Sequence, residues 1–288
     1  TSIAQGGGRI NMDWSKSKTI LILMLLALNI FLLISIMFYK DVFTVSNDTI
    51  ENTVSILESR NVHLKCDIPQ QSGKMPAIVY DNSHFNIDKI IQKLSDDVDL
   101  DTERLVQEND IIMGEKKITL KEGNVLAYEN ANPSGNVNVN NMDEVEKCAK
   151  KFLSDIGIKI SAYKLDRQSR NEAGEVSLHY IEKYGKHLVY DSYVDIVIGE
   201  KGVRSLNYSK KNFKKLSSDS VNVMPAHQVL LKNFNKDDNV VIVTMDIGYK
   251  SFAEEDETVE TQEWPKWRIV FEDGTESYFS AVNGDEFK

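Results

Sequence analysis

The run TILILMLLALNIFLLISIMFY, from Thr19 to Tyr39, decides the architecture of the chain and carries no formal charge. A helix rises about 1.5 Å per residue, so a run of roughly 20 residues crosses a hydrocarbon core about 30 Å thick. A secretory signal peptide is the alternative, but its apolar part is only about 7–15 residues long and ends in a small-residue cleavage site. Ser35-Ile36-Met37 is not such a site. The run therefore predicts an uncleaved transmembrane helix over residues 19–39.

The charges beside this helix predict its orientation. Lys16 and Lys18 stand immediately before it, whereas Lys40 after it is offset by Asp41. Positively charged flanks stay in the cytoplasm, so residues 12–18 are expected inside the cell and everything after Lys40 outside. We therefore expect a single-pass protein of the cell membrane with an extracellular C-terminal part.

Asn29 lies in the middle of the apolar run. An amide in hydrocarbon is costly unless it is hydrogen-bonded, and such side chains often bond to a neighbouring helix for about 1 kcal/mol. The alternative is that the surrounding leucines tolerate one amide. We predict that Asn29, together with Ser35, contacts a partner helix in the membrane.

Residues 1–11, TSIAQGGGRIN, precede the first methionine, Met12. Gly6-Gly7-Gly8-Arg9 can be encoded by a purine-rich run of GGN and AGG codons, which is typical of a ribosome-binding site just upstream of a start codon. Our hypothesis is that residues 1–11 are a non-native extension and that Met12 is the start. The glycine triplet does not predict a phosphate-binding loop, because no Gly-Lys-Ser/Thr follows it.

The composition is that of a folded protein and argues against one class of partner. The chain has 288 residues, of which 41% are hydrophobic and 27% charged, which excludes disorder along most of its length. Its net charge of -10 opposes nucleic-acid binding, which needs a basic face.

The extracellular part alternates between helical and strand periodicity. The patterns predict helices near 48–60, 87–94, 141–156 and 225–234, and strands near 62–66, 76–80, 188–198, 241–247, 267–271 and 277–282, with short strands within 104–130. The asparagine-rich segment 130–141 has no period and predicts a boundary between two lobes, 46–130 and 141–288. The expected class is α+β, with helix-plus-antiparallel-meander units after a single membrane helix.

No motif in the sequence predicts catalysis. There is no G-x-S-x-G, H-E-x-x-H, C-x-x-C or dinucleotide fingerprint, so we expect no catalytic residues, metal site or cofactor. His179 and His187 flank a turn at Gly185, but ordinary strand positions explain them better than a metal site. A disulfide between Cys66 and Cys148 is permitted outside the cell. Cys148 also suits an apolar helical face as a free thiol, so the pairing stays open.

Two segments near the C-terminus are candidate surfaces. The acidic run EEDETVETQE, from Glu254 to Glu263, lacks the spacing of an EF-hand loop and predicts a solvated hairpin tip. Trp267 falls in a strand pattern and is expected in the core. Trp264 is the better candidate for a contact with a partner in the outer part of the protein.

The two ends of the chain resemble one known family. MDWSKSKTILILMLLALNIFLL, from Met12 to Leu33, resembles the N-terminus of YycI (WalI) proteins of Gram-positive bacteria. An Ile-Gly-Tyr turn at 247–249, the acidic loop, Trp-Pro-Lys-Trp-Arg-Ile-Val at 264–270 and a Tyr…Ala-Val-Asn-Gly ending resemble the closing sheet of the YycH/YycI outer domains. The final strand pair also looks like PepSY-type domains.

The resemblance implies a membrane-anchored, non-enzymatic regulator of a two-component system that controls the cell wall. Its partners would be a YycH-like regulator and the sensor histidine kinase of the WalK/WalR type, whose membrane helices the single span would contact. The resemblance carries over no catalytic residue and no cofactor. Two alternatives stay open: an anchored PepSY-like module that binds or inhibits a protease, and an anchored wall-active enzyme, which would need a cleft with two converging carboxylates.

Overall fold

The computed structural model describes residues 14–42, 45–71, 73–81, 88–95, 110–121, 125–235, 239–252 and 261–287. The predicted extension at 1–11 and most of the acidic run 254–263 lie outside the described residues. The helices are α1 Trp14–Val42, α2 Asn47–Glu58, α3 Asp88–Ser95, α4 Met142–Asp155 and α5 Ala226–Asn233, with a 3-10 turn at Ile160–Ala162.

The strands are β1 Val62–Leu64, β2 Lys74–Asp81, β3 Asp110–Met113, β4 Lys116–Lys121, β5 Val125–Asn130, β6 Tyr163–Arg170, β7 Val176–Tyr184, β8 His187–Gly199, β9 Gly202–Ser209, β10 Asn212–Asn222, β11 Val240–Tyr249, β12 Thr261–Glu263, β13 Lys266–Phe271, β14 Glu276–Ser280 and β15 Glu286–Phe287. The chain forms two compact units, 1–49 and 50–288.

The first unit contains α1. Its described side chains from Thr19 to Ile34 are all exposed, and in the described part of the chain it is the one helix long and apolar enough to cross a membrane. The candidate span 17–35 overlaps the predicted helix 19–39.

Helix α4 shows how the sequence places a helix in the second unit. Asn141 caps its start, accepting a hydrogen bond from the backbone N–H of Asp143 at 3.1 Å, and the Glu144 carboxylate accepts one from the Asn141 amide at 3.0 Å. The apolar stripe that includes Val145 is buried. The helix stops before Gly157, whose φ of +91° is costly for residues other than glycine. The predicted helix at 141–156 is therefore confirmed.

Two sheets are present within the described residues. The larger has twelve strands, whose main path runs β15-β14-β13-β11-β8-β9-β5-β4-β3, with β1 beside β11 and the hairpin β6-β7 beside β8. The smaller has the order β10-β2-β12. Most neighbours are antiparallel, and the β1–β11 and β8–β11 pairs are parallel.

The apolar side chains form two main clusters. The first core lies between α3, α4 and strands β3 to β9, around Leu153, Leu178 and Ile196. The second core is built from α2, α5, β2, β11, β13 and β14, around Leu57 and Trp267. The second core thus joins residues before the asparagine-rich segment to residues at the end of the chain. The proposed lobes 46–130 and 141–288 stay a prediction.

One predicted element is wrong. The Ile-Gly-Tyr sequence at 247–249 is not a turn but the end of strand β11, which runs to Tyr249. Gly248 has no positive φ. The position needs glycine because the neighbouring strand β8 approaches it closely, and not because the backbone turns there.

Candidate functional site

Asn29 satisfies one of its donors within α1. Its Nδ2 donates to the backbone carbonyl of Leu25 at 3.0 Å, a bond to the preceding turn of the same helix. Within the described residues the Asn29 Oδ1 has no hydrogen bond. An acceptor in the middle of the apolar run therefore remains available to a neighbouring helix.

Ser35 lies on a different stripe of α1. Six residues at about 100° each place it about 120° around the helix from Asn29. Neighbouring helices pack along one stripe, so one helix that covers Asn29 leaves Ser35 at the edge of the contact. The two predicted contact residues therefore suit two neighbouring helices better than one.

A second candidate site lies where the two cores meet, and it centres on Arg268 of β13. The Arg268 side chain is only 1% exposed. Its Nη1 and Nη2 donate to the two carboxylate oxygens of Asp166 at 2.9 and 2.6 Å. Its Nε and Nη2 also donate to Asp246 at 3.0 and 2.8 Å, and the guanidinium lies 4.6 Å from the ring centre of Tyr190. We call this polar region between the two cores the seam.

Consecutive residues of β6 reach across the seam. Asp166 pairs with Arg268, and Arg167 pairs with Glu276 of β14 at 2.8 Å. The register of β6 against β7 shifts between Leu165 and Arg167, so Asp166 occupies a bulge. Bulges redirect a side chain out of the regular alternation. The bulge therefore explains how neighbouring residues of one strand both reach the other side of the seam.

A larger bulge in β8 contributes further side chains to the seam, next to Arg268. Ile181 of β7 is opposite Tyr193 and Glu182 is opposite Val189, which leaves residues 190–192 of β8 without a partner on β7. These three residues carry seam contacts. The Tyr190 hydroxyl donates to Asp246 at 2.6 Å, the Asp191 carboxylate accepts from the Ser251 N–H at 2.6 Å, and the Ser192 hydroxyl accepts from the Lys211 N–H at 2.8 Å.

The surroundings shift the pKa values of two seam carboxyls in opposite directions. Burial raises the pKa of Asp166, but the hydrogen bonds and positive charge of Arg268 outweigh this effect and leave the pKa below its ordinary value. Burial raises the pKa of Asp191, and the nearby Lys250 and the Ser251 N–H offset it only in part. Asp166 therefore favours the ionised form, since it is the better paired of the two.

The two histidines that flank the Gly185 turn do not form a common site. His179 bonds Asp195 through Nδ1, whereas His187 packs edge-on against the ring of Tyr249. Among the described residues no group of three or more His, Cys, Asp or Glu side chains is placed to hold a metal ion. The two histidines thus make different contacts, on either side of the β8 bulge.

The two cysteines lie against different cores, and the two tryptophans near the C-terminus differ in exposure. Cys66 and Cys148 are free thiols, packed against the second and the first core respectively. Trp267 is fully buried, as predicted, whereas Trp264 is 36% exposed. Trp264 as a partner contact stays a prediction.

Comparisons with known proteins support a family assignment. None of the curated proteins matches the chain. Among solved structures, an uncharacterized protein from Eubacterium rectale ATCC 33656 is similar with a TM-score of 0.49 and 11% identity, over 83% of this chain and 98% of that one. YycH from Bacillus subtilis is similar with a TM-score of 0.46 and 15% identity, over 73% of this chain and 52% of that one. The model of the YycI protein family matches residues 40–284. The chain therefore belongs to the YycI family, a family of regulatory proteins.

Proposed function

We propose that the chain is a membrane-anchored regulator of a two-component system of the WalK/WalR type. Membership of the YycI family over residues 40–284 is the observation that carries this function. The apolar helix α1, which has the length and composition of a membrane span, supports the anchor. The N-terminus would lie in the cytoplasm and residues after Lys40 outside the cell, as the flanking charges favour.

The proposed mechanism is a contact between α1 and the membrane helices of the sensor kinase. A bound protein shifts the equilibrium between two signalling states only if it binds them unequally, and a difference of a few kcal/mol is enough. The free acceptor of Asn29 can distinguish two such states, because only an arrangement that brings a donor to the same depth satisfies it. Ser35, on another stripe, would contact a second helix.

The outer part of the protein would bind a YycH-like partner, with Trp264 as one contact. A partly exposed tryptophan contributes large apolar area to an interface and often dominates its binding energy. We also propose that the outer part is built of two PepSY-like lobes.

Co-purification from native membranes tests the function. The Asn29→Leu variant should recover several-fold less sensor kinase than the unchanged chain, because it removes the polar contact and keeps the helix apolar. Ala27→Leu is the matched control. It lies two residues away, about 200° around the helix, and should leave recovery unchanged.

Two further outcomes separate the parts of the proposal. Equal recovery and equal signalling with Asn29→Leu would remove Asn29 from the mechanism. No recovery of a histidine kinase by any form of the chain, including after photocrosslinking from residues 29 and 35, would overturn the proposed function. Circular dichroism of each variant checks that the outer part is folded.

A further inference from the structure

We propose that the seam is a conformational joint, at which the first and second cores change their relative position. The ion pairs of Asp166 with Arg268 and of Arg167 with Glu276 would hold the relative position seen in the structure. The proposal concerns the outer part of the protein and does not depend on the proposed function. Three observations carry it: a bent hairpin, a short strand junction and a polar contact.

The hairpin β7-β8 belongs to both cores. Its body contributes Leu178 and Ile196 to the first core, and its tip contributes Val189 to the second. Body and tip are separated by the unpaired residues 190–192 of β8. A bulge interrupts ladder hydrogen bonds and bends the strand, so the hairpin can flex at this point without breaking the pairing on either side.

The large sheet is narrow where it crosses from one core to the other. Strand β8 pairs with β11 through only two residue pairs, Gly248 with Leu188 and Tyr249 with Val189. By comparison, β8 pairs with β9 over residues 193–199. Rotation about the bulge therefore strains few inter-strand hydrogen bonds.

The contacts across the seam are ionic and specific. Asp166 lies 2.6 Å from Arg268 and Arg167 lies 2.8 Å from Glu276, so one short segment of β6 presents a negative and a positive charge to opposite charges on β13 and β14. Polar interfaces within a chain permit relative movement more readily than continuous apolar cores do. The strength of an ion pair depends strongly on its geometry. Together these pairs favour one relative position of the cores.

Distance measurements on the full chain in phospholipid nanodiscs test the joint. Spin labels would be placed at Lys147→Cys on α4, against the first core, and at Gln228→Cys on α5, against the second. Both positions are exposed. Cys66 and Cys148 would be replaced by alanine. Double electron–electron resonance should give one narrow distance distribution for this parent.

Breaking either seam pair should broaden that distribution at least twofold or add a second distance. Asp166→Asn removes the charge with little change in shape. Arg167→Gln breaks the more exposed pair, so it tests the proposal even if Asp166→Asn does not fold. Glu263→Gln is the matched control. It breaks a buried ion pair with Lys266 at 2.6 Å, but both residues lie on the second-core side of the seam.

The outcomes decide the proposal. A change in the seam variants with none in Glu263→Gln supports a joint held by Asp166 and Arg167. Unchanged distributions in folded Asp166→Asn and Arg167→Gln would overturn it. Equal broadening in the Glu263→Gln control would overturn it as well, since it would show a general loosening.

Discussion

Gly248 of β11 lies directly against the ring of Tyr190 of β8. A β-carbon on Gly248 would be 2.8 Å from the Tyr190 Cε2 and 2.6 Å from the backbone oxygen of Leu188. The same Tyr190 ring stacks on Arg268 on the seam. The absence of a side chain at residue 248 thus lets β11 approach β8 and lets Tyr190 reach the buried guanidinium.

We expect Gly248→Ala to lower the free energy of unfolding by about 1–3 kcal/mol, the usual cost of inserting an atom into a filled space. The cost should lie near the upper end, because one of the clashing atoms belongs to the backbone and cannot rotate away. Urea unfolding of the detergent-solubilised chain measures the change.

Gly199→Ala is the control for Gly248→Ala. Gly199 is likewise a strand glycine, at the end of β8. Its φ is not positive, and an added β-carbon would be 3.5 Å from its nearest neighbours, which is ordinary contact. Its unfolding free energy should change by less than about 0.5 kcal/mol. A similar loss in both variants would contradict the explanation from close approach.

Asp166→Asn should destabilise the chain by about 3 kcal/mol at pH 7. Removing one partner of a buried ion pair typically costs about 3–5 kcal/mol, and Asp246 still pairs with Arg268, which favours the lower end. Urea unfolding at pH 7 measures the loss, and a change below about 1 kcal/mol would show that Asp246 alone satisfies the guanidinium.

The stabilisation of the folded state by Asp166 should decrease as the pH falls. Burial raises the pKa of Asp166, but the hydrogen bonds and charge of Arg268 lower it by a larger amount. The pKa in the folded state is therefore below its ordinary value. At pH values between the lowered pKa and the ordinary one, the unfolded state binds more protons than the folded state does. The stabilisation is complete above the ordinary aspartate pKa of about 3.9 and is lost as the pH falls through that value toward the lowered pKa. The difference between wild type and Asp166→Asn should therefore shrink from pH 7 to pH 3.

Local elements could be predicted from the sequence, and the seam could not. The helix at 141–156 has its cap, its stripe and its terminal glycine close together in the sequence, and the structure has all three. The Asp166–Arg268 pair joins residues 102 positions apart. Nothing in the neighbourhood of either residue indicates its partner.

The β8 bulge shows why pattern reading failed at the candidate site. Residues 188–198 predict one regular strand, and from Tyr190 to Ile198 the burial does alternate. Val189 and Tyr190 are both buried, however, because the bulge changes which face the following residues occupy. The three consecutive apolar residues Leu188, Val189 and Tyr190 were the one local signal of this change.

His187 should make the chain less stable as the pH falls below neutrality. Burial lowers the pKa of His187, and the charge of Lys186 lowers it further, so the folded state favours the neutral ring. Its contribution is complete above the ordinary histidine pKa of about 6.5 and is lost as the pH falls from there toward the lowered pKa. His187→Gln should therefore reduce the loss of stability between pH 7.5 and pH 5.5.

The matched control for His187→Gln is His63→Gln, since His63 is exposed on β1. Urea midpoints at the two pH values should show the reduced loss only in the His187 variant. If both variants kept the pH dependence of the unchanged chain, the buried ring of His187 would not be its source.

Trp264→Ala should weaken binding to the outer domain of a YycH-like partner at least tenfold, with the unfolding free energy changed by less than about 0.5 kcal/mol. The physical reason is that Trp264 is partly exposed, whereas Trp267 fills the second core. Ile112→Ala is the control, because Ile112 is 70% exposed and lies on β3, at the other end of the large sheet from β13 to β15. Titration calorimetry with the partner domain measures both affinities.

Equal affinities for the two variants would place the partner elsewhere on the surface. A large loss of stability in Trp264→Ala would instead assign that side chain to the packing of the second core.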